Sequence, residues 1–519
     1  MKQYETFELT FSGRILSEDY ADIPLTAVFS CGSQTKTVQG FYDGDGLYKV
    51  RFLPEEPGAY TWLVTGAVSA EGTEICQPAD IEHHGLVKAV DTHFEFEDGK
   101  LFTPFGTTVY ALAHQDDALV EQTLETLKAA PFNKVRMCVF PKDYDYNHNE
   151  PPYYAFEKTA DGSWDVRRPC IAFWHRFETI LERITEMGIQ ADLILFHPYD
   201  RWGFSTLSRE DNLLFLDYLL RRLSAKPGIW WSLANEYDLC AAKSLSDWEE
   251  IESFVAHNDP YGHLLSCHNC FCFWDAARPG ITHASIQTKG LSELPRWIAK
   301  YQKPVIIDEC CYEGNLPHFW GSISAREMVY RFWRCAASGA YCTHGETFLA
   351  DDEVLWWAKG GILRGESPER IAFLRKIIES IPGPLTANSG GVFQLIQMGE
   401  QEIETTLSQH PEYPGEFIRL LHASICRMEA DDRTVHLAGE HEWAAHAGDD
   451  AWLWFNDRQC FGEQTLQLPE GRHYRVELID VWGITSTVLN ENACGTTKIR
   501  LPGKEGLAVL AVSQRGQVR

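Results

Sequence analysis

Residues 189–238 read IQADLILFHPYDRWGFSTLSREDNLLFLDYLLRRLSAKPGIWWSLANEYD. The first eight form an apolar run of strand length. A polar turn follows, then NLLFLDYLLRRLSAKPG, a helix-like stretch that stops at Pro-Gly, and then a second apolar run, IWWSLANE. Strand, helix, strand is the unit that lays parallel strands side by side. Toward the N-terminus the pattern continues through CIAFWHRFETILERITEMG, FNKVRMCVF, ALVEQTLETLKAA and TTVYALA. Toward the C-terminus it continues through SLSDWEEIESFVAHND, HLLSCHN, HASIQT with ELPRWIAKYQ, PVIIDEC with SAREMVYRFWRCAASG, and AYCTHGE. Eight apolar strands thus begin near residues 107, 134, 190, 229, 263, 283, 304 and 340, most of them separated by helical stretches. That count matches a (β/α)8 TIM barrel. A doubly wound sheet is the second choice, but no Gly-rich phosphate loop follows the first strand.

Both flanks have a different texture. TFELTF, PLTAVF, TKTVQGFY, LYKVRFLP and AYTWLV are short strands divided by Gly, Asp, Ser and Pro. DAWLWFND, TLQLPEG, HYRVELIDVWG and GLAVLAV repeat that pattern at the other end. Short strands at regular spacing indicate β-sandwiches. The expected organisation is an α/β chain: an N-terminal Ig-like β-sandwich over 1–88, a catalytic barrel over 89–384 and a C-terminal β-sandwich over 385–519.

Composition narrows the partners. Lys and Arg total 46 against 74 Asp and Glu, a formal charge of −28, so phosphate backbones and anionic membranes are repelled. Nucleic acid is not an expected partner. No segment reaches about 18 apolar residues without a charge, so no membrane span is expected. MKQYETFELTF lacks the basic and apolar regions of a signal peptide, and the 15 Cys are scattered through apolar stretches. Cys138, Cys335 and Cys342 read as buried thiols. A reducing cytoplasm is the expected location. Seventeen Trp in an acidic chain raise a carbohydrate reading, because a flat indole stacks on the C–H face of a sugar; most of them must nevertheless be core.

In a barrel the reacting residues sit where strands end. The fourth strand ends in Asn235-Glu236 and the seventh in Asp308-Glu309. A carboxyl at the end of an apolar strand is costly to bury unless it is paired or working. Two Glu facing each other across one barrel mouth are the pair that glycoside hydrolysis needs, one to protonate the leaving oxygen and one to attack the anomeric carbon. Two structural salt bridges are the bland alternative.

This layout resembles the large clan of retaining glycoside hydrolases built on (β/α)8 barrels. The resemblance implies that Glu236, following Asn235 at the end of strand four, is the acid/base and that Glu309 is the nucleophile. It also implies that Arg136 on strand two holds the nucleophile ionised. The flanks resemble a narrower group, the apiosidase-like glycoside hydrolases, through GLYKVRFLPEEPGAYTWLV, THGETFLADDEVLWWAKGGILRGESPERIAFLR and YRVELIDVWG. The chain departs from the clan at strand six: where a Tyr or His is common near the end, HASIQT has His283 at its start and Gln287 at its end.

The other strand ends offer sugar ligands: His114 with Gln115 and Asp116, His197, Tyr199 and Trp202 with Asp200, His268 and Asn269, and His344 and Glu346. Trp356 or Trp357, in the loop after strand eight, is positioned to floor the sugar site. Each of these is equally readable as packing. Cys267-His268-Asn269-Cys270-Phe271-Cys272 has metal-ligand residue types, but no second Cys pair stands at finger spacing. Cys310 and Cys311 read as packing residues. Neither HExxH nor an EF-hand loop is present, and two carboxyls supply both proton and nucleophile, so no cofactor or metal is expected. The expected activity is release of a terminal sugar from a short oligosaccharide or glycoside. The alternatives are a barrel that binds carbohydrate without catalysis and a scaffold built on the two sandwiches. On the enzyme reading the sandwiches wall the barrel mouth or build a homo-oligomer.

Overall fold

Eight parallel strands form one sheet: β1 (Phe105–Thr108), β2 (Lys134–Cys138), β3 (Gln190–Phe196), β4 (Ile229–Ala234), β5 (Leu265–Ser266), β6 (Ala284–Gln287), β7 (Val305–Glu309) and β8 (Tyr341–His344). Their order is β5-β4-β3-β2-β1-β8-β7-β6, a nearly closed barrel. These are the eight strands expected from the sequence. The computed structural model describes residues 1–388, 399–409, 411, 413–437 and 443–514. Every residue of β2, β3 and β4 is buried, which is why these segments read as unbroken apolar runs.

The helices are α1 (Asp117–Ala129), α2 (Ile171–Glu186), α3 (Arg209–Leu223), α4 (Leu245–Asn258), α5 (Leu294–Tyr301), α6 (Ala325–Ala336) and α7 (Ser367–Glu379). Side chains fix several starts by accepting orphan N–H groups. Asp116 accepts from Leu119 N at 2.9 Å and so caps α1. Ser208 accepts from Asp211 N at 3.1 Å, and Ser244 and Asp247 form a reciprocal capping box on α4. Among the described residues, no helix is long and apolar enough to cross a membrane.

The sheet does not close by strand pairing between β5 and β6. There, Leu265 N donates to Thr282 Oγ1 at 2.8 Å and Thr282 N to Leu265 O at 2.9 Å. At the C-terminal end of the same seam, Gln287 N donates to Asn269 Oδ1 at 3.0 Å and Asn269 Nδ2 donates to Gln287 O at 3.2 Å.

Ahead of the barrel, two antiparallel sheets face each other. One has three strands (Phe7–Ser12, Leu47–Phe52, Phe41–Tyr42), the other four (Gln34–Gln39, Leu25–Cys31, Gly58–Gly66, Ala70–Cys76). Leu25, Ala27, Phe29, Val50, Phe52 and Val64 fill the space between them, with Phe29 and Phe52 stacked at 4.0 Å. A buried ion network ties this sandwich to the barrel helices. Glu178 of α2 receives both Nη atoms of Arg51 (2.8 and 2.9 Å) and, from Arg222 of α3, Nε (2.7 Å) and Nη2 (3.1 Å). Arg222 also reaches Asp43 at 2.8 Å. Burial alone would raise the Glu178 pKa, but the two guanidinium groups outweigh it and hold the carboxyl far below the usual range.

The C-terminal region contains a six-stranded antiparallel sheet and a two-stranded one, Glu463–Gln467 with Thr496–Arg500. Leu466, Tyr474, Val476, Ile499, Val509 and Ala511 form their core. The expectation of continuous β-structure from 385 onward does not hold throughout. Helices Glu400–Gln409, Gly415–Ile425 and Ala430–Leu437 precede the main strands, and Ile403, Leu407, Ile418 and Ile425 form their own cluster. By compactness the chain divides into two units: Met1–Thr288 with Tyr301–Ala325 and Cys342–Pro368, and Lys289–Lys300 with Arg326–Tyr341 and Glu369–Arg519.

Candidate active site

The C-terminal ends of β4 and β7 bring Asn235, Glu236 and Glu309 together with Tyr110, Arg136 and Tyr199. β4 ends abruptly: Glu236 adopts a left-handed backbone (φ 50°, ψ 56°), which costs a non-glycine residue about 1–2 kcal/mol. That turn separates the directions of Asn235 and Glu236. Glu236 N points at His268 Nδ1 (3.4 Å), and Tyr237 N donates to His268 O (3.0 Å).

One side chain links the two carboxyls. Asn235 Oδ1 accepts from Tyr110 OH at 3.0 Å and from Arg136 Nη2 at 3.3 Å, and Asn235 Nδ2 donates to Glu236 Oε2 at 3.4 Å. The single Tyr110 hydroxyl hydrogen is divided between Asn235 Oδ1 and Glu309 Oε1, while Arg136 Nη1 lies 3.8 Å from that same carboxylate oxygen. On the opposite carboxyl, Tyr199 OH donates to Glu236 Oε2 and Gln287 Nε2 donates to Glu236 Oε1 at 3.1 Å. The strand-six position at which the chain departs from the clan therefore carries an amide donor to Glu236. The tyrosine hydroxyl on Glu309 comes from the end of strand one.

Burial and the like charge of Glu236 push the Glu309 carboxyl up to about 7, against Arg136, Tyr110 and Lys142, which hold it down. The expectation that Arg136 keeps Glu309 simply ionised is thus incomplete.

Arg136 is itself held from below. Inside the barrel, Lys134 Nζ pairs with Asp192 Oδ2 and Asp308 Oδ1, both at 2.7 Å, and Arg136 Nε lies 3.7 and 3.9 Å from those same atoms. Ser285 and Thr343 hydroxyls donate to Asp308 at 2.6 and 2.7 Å. Burial opposes ionisation of Asp308, but Lys134 and Arg136 outweigh it and hold its carboxyl far below the usual range.

The structure distributes the remaining sequence candidates among several roles. Asn269 fixes Gln287 through both amide groups, and His268 lies under the Glu236 backbone. His197 Nε2 faces Phe140 O at 3.2 Å and His114 Nε2 faces Cys138 O at 3.3 Å; neither has a partner on Nδ1 among the described residues. Burial lowers the pKa of His197 to about 4 and of His114 and His344 to about 3, so all three are neutral imidazoles. His344 Nδ1 lies 3.2 Å from Thr107 Oγ1, and its ring stacks on Phe132. Trp202 sits in the loop after β3, where its indole donates to Glu150 at 3.0 Å. Glu346 accepts backbone N–H groups of Arg364 and Gly365, which fixes the loop before α7. Trp356 is buried, its Nε1 on Thr107 Oγ1 at 2.9 Å. It is Trp357 that joins the aromatic wall, 5.8 Å from Tyr110 and Tyr144 and 5.2 Å from Trp320, with its Nε1 unpartnered among the described residues.

Tyr110, Lys142, Tyr144 and Trp320 at this site escaped the sequence reading. Tyr110 could have been found, since TTVYALA ends a strand. Lys142 and Tyr144 lie in an irregular loop whose sequence, FPKDYDYN, gives no directional signal.

Among the described residues, two groups of side chains have the spacing for a metal ion: Glu313, His344 and Glu346, each offering one donor atom within 4.8 Å of the others, and the more exposed Glu5, Asp80 and His83. In the first group both carboxylates already accept backbone amides, Glu313 from Glu366 (2.8 Å) and Ser367 (3.3 Å). Burial pushes the Cys270 thiol beside Glu236 up to about 12, which suits a packing residue rather than a nucleophile.

A parallel barrel with two buried, hydrogen-bonded carboxyls at its C-terminal mouth is the architecture of a glycoside hydrolase. The chain belongs to the apiosidase-like family, whose catalytic domain matches residues 90–361. Residues 1–66 and 440–511 match two domains of unknown function, DUF5060 and DUF5605. The crystal structure of a candidate glycoside hydrolase from Bacteroides vulgatus ATCC 8482 is 32% identical over 99% of each chain, with a TM-score of 0.84. A family 5 glycoside hydrolase from the same organism aligns with 84% of this chain and 95% of its own at 12% identity and a TM-score of 0.59, a likeness of fold alone. No curated protein matches the chain.

Proposed function

We propose that the enzyme is a retaining glycosidase that releases a terminal sugar from a small glycoside by double displacement. Glu309 attacks the anomeric carbon while Glu236 protonates the departing oxygen, giving a glycosyl ester on Glu309. Glu236, now a carboxylate, takes a proton from water as that water attacks the same carbon, and the ester bond breaks. Two inversions give net retention. The observation that carries this reading is the Asn235 bridge: its Oδ1 shares Tyr110 and Arg136 with Glu309, and its Nδ2 faces Glu236. Burial and the charge of Glu236 raise the Glu309 carboxyl to about 7 against Arg136, Tyr110 and Lys142, so above that pH Glu309 is the ionised nucleophile, while the first step requires Glu236 to carry the proton. Asn235 Nδ2 has a second hydrogen for the sugar hydroxyl beside the anomeric carbon. Trp357, Tyr144 and Trp320 offer flat faces for the ring. The family matches at both ends support three modules at 1–88, 89–384 and 385–519.

The test is a panel of aryl glycosides, pentofuranosides included, run with wild type, Glu309→Gln and Glu236→Ala. Glu309→Gln is expected to lose activity on all of them. Glu236→Ala is expected to lose far more on poor leaving groups than on activated ones, because the latter depart without a proton. A Glu309→Gln enzyme as active as wild type would leave a barrel that uses other chemistry, and one that binds sugars but cleaves none in wild-type form would make the protein a binder.

A further inference from the structure

Lys142, in the loop after β2, is 5% exposed by its side of the mouth and forms no ion pair or hydrogen bond through Nζ among the described residues. Instead its ammonium lies over aromatic faces: 3.6 Å from the centroid of Tyr110, 4.3 Å from Tyr199, 5.0 Å from Trp357 and 5.7 Å from Tyr144. The two nearest rings are those whose hydroxyls donate to the carboxyl pair, Tyr110 to Glu309 and Tyr199 to Glu236. A cation over the face of a phenol draws electron density from the ring and makes its O–H a stronger donor. The same charge also acts directly on the carboxylates.

The geometry points to Lys142 as a positioning residue that, through Tyr110 and Tyr199, sets the pH range over which the reacting carboxyls Glu309 and Glu236 work. This rests on the reading of those two residues as the reacting pair. The groups facing Lys142 are Tyr110 after β1, Arg136 and Cys138 on β2, Tyr144 in its own loop, His197 and Tyr199 after β3, Glu236 after β4 and Glu309 on β7. His197 is neutral, and burial pushes the Cys138 thiol up to about 12. The charges that remain are Arg136, which repels the ammonium, and the two carboxyls, which favour its charged form while burial lowers its pKa below the usual lysine value. Lys142 is thus a cation whose electrostatic partners are the reacting groups themselves.

Removing that charge destabilises the ionised form of each carboxyl, so both limbs of the bell-shaped profile of kcat/KM should move to higher pH. The experiment measures kcat/KM against pH on an activated aryl glycoside for wild type, Lys142→Met, Lys142→Gln and Lys142→Arg, with thermal melting to identify folded variants. Either folded neutral variant should move the acidic limb up by about one pH unit, and Arg should return it most of the way. A folded neutral variant with unmoved limbs, or with a rate lowered equally at every pH, overturns the inference and leaves the carboxyl pair standing. Should neither neutral variant fold, Lys142→Arg decides: the guanidinium keeps the charge, so limbs displaced as far as a full pH unit would overturn it and limbs near those of wild type would support it. A Glu309→Gln enzyme with wild-type activity would overturn this inference and the proposed function together.

Discussion

Glu309 carries its functional tension as a stability cost. Its native pKa is pushed to about 7 from an ordinary 4.5, mainly by burial. Between those values the native state holds a proton that the unfolded chain has released, so folding loses stability as pH rises through that window. Glu309→Gln removes the charge. It should raise the thermal midpoint near pH 8, by at most about 3 kcal/mol of unfolding free energy, and the gain should vanish near pH 4, where both states are protonated. Calorimetry at the two pH values checks this; a variant less stable at both would show that the site's hydrogen bonds, not its charge, dominate. At this scale the sequence displayed Asn235, Glu236 and Glu309 because carboxyls and amides at the ends of apolar strands stand out against their surroundings. It could not display Lys142 or the choice of Trp357 over Trp356. Those depend on where an irregular loop and a four-residue helical turn aim side chains, and neither has a period to read.

Among the elements, the barrel strands were legible and their binding to the N-terminal sandwich was not. Arg51 lies on a sandwich strand, Glu178 on α2 and Arg222 on α3; as isolated charges in three amphipathic segments they look like solvated residues. Together they form a buried pair of guanidinium groups around one carboxylate. Glu178→Ala should therefore cost about 3–5 kcal/mol, because two buried guanidinium groups lose the carboxylate they share and keep only Glu8 and Asp43. Urea unfolding measures it. A loss under about 1 kcal/mol would mean that water reaches the network. Glu178→Met together with Arg51→Met should recover part of the loss. The three helices between 400 and 437 were missed for another reason: strand-like segments on both sides set the expectation for the whole region, although EQEIETTLSQ has its buried Ile403 and Leu407 four residues apart, the helical spacing.

In the whole molecule, the order of modules followed from the texture of the sequence, since period-two stretches flank a long βα alternation. The incomplete closure of the barrel left no such trace, because β5 and β6 look no weaker in sequence than their neighbours. Yet among the described residues the seam between them is held by few hydrogen bonds, three at Thr282 and two between Asn269 and Gln287, and Gln287 is also a donor to Glu236. Local opening starts where few backbone bonds must break. On warming, amide hydrogens of Leu265, Thr282 and Gln287 should exchange with deuterium before those of β3 and β4. Activity should fade with them, at temperatures where far-ultraviolet dichroism still reports a folded chain. Cleavage by a protease after mild heating should fall in the 270–282 connection. If activity and dichroism instead fail together, the seam is as firm as the rest of the wall. If they part, the enzyme carries a built-in fuse, and its working lifetime is set by one line of the barrel rather than by the fold.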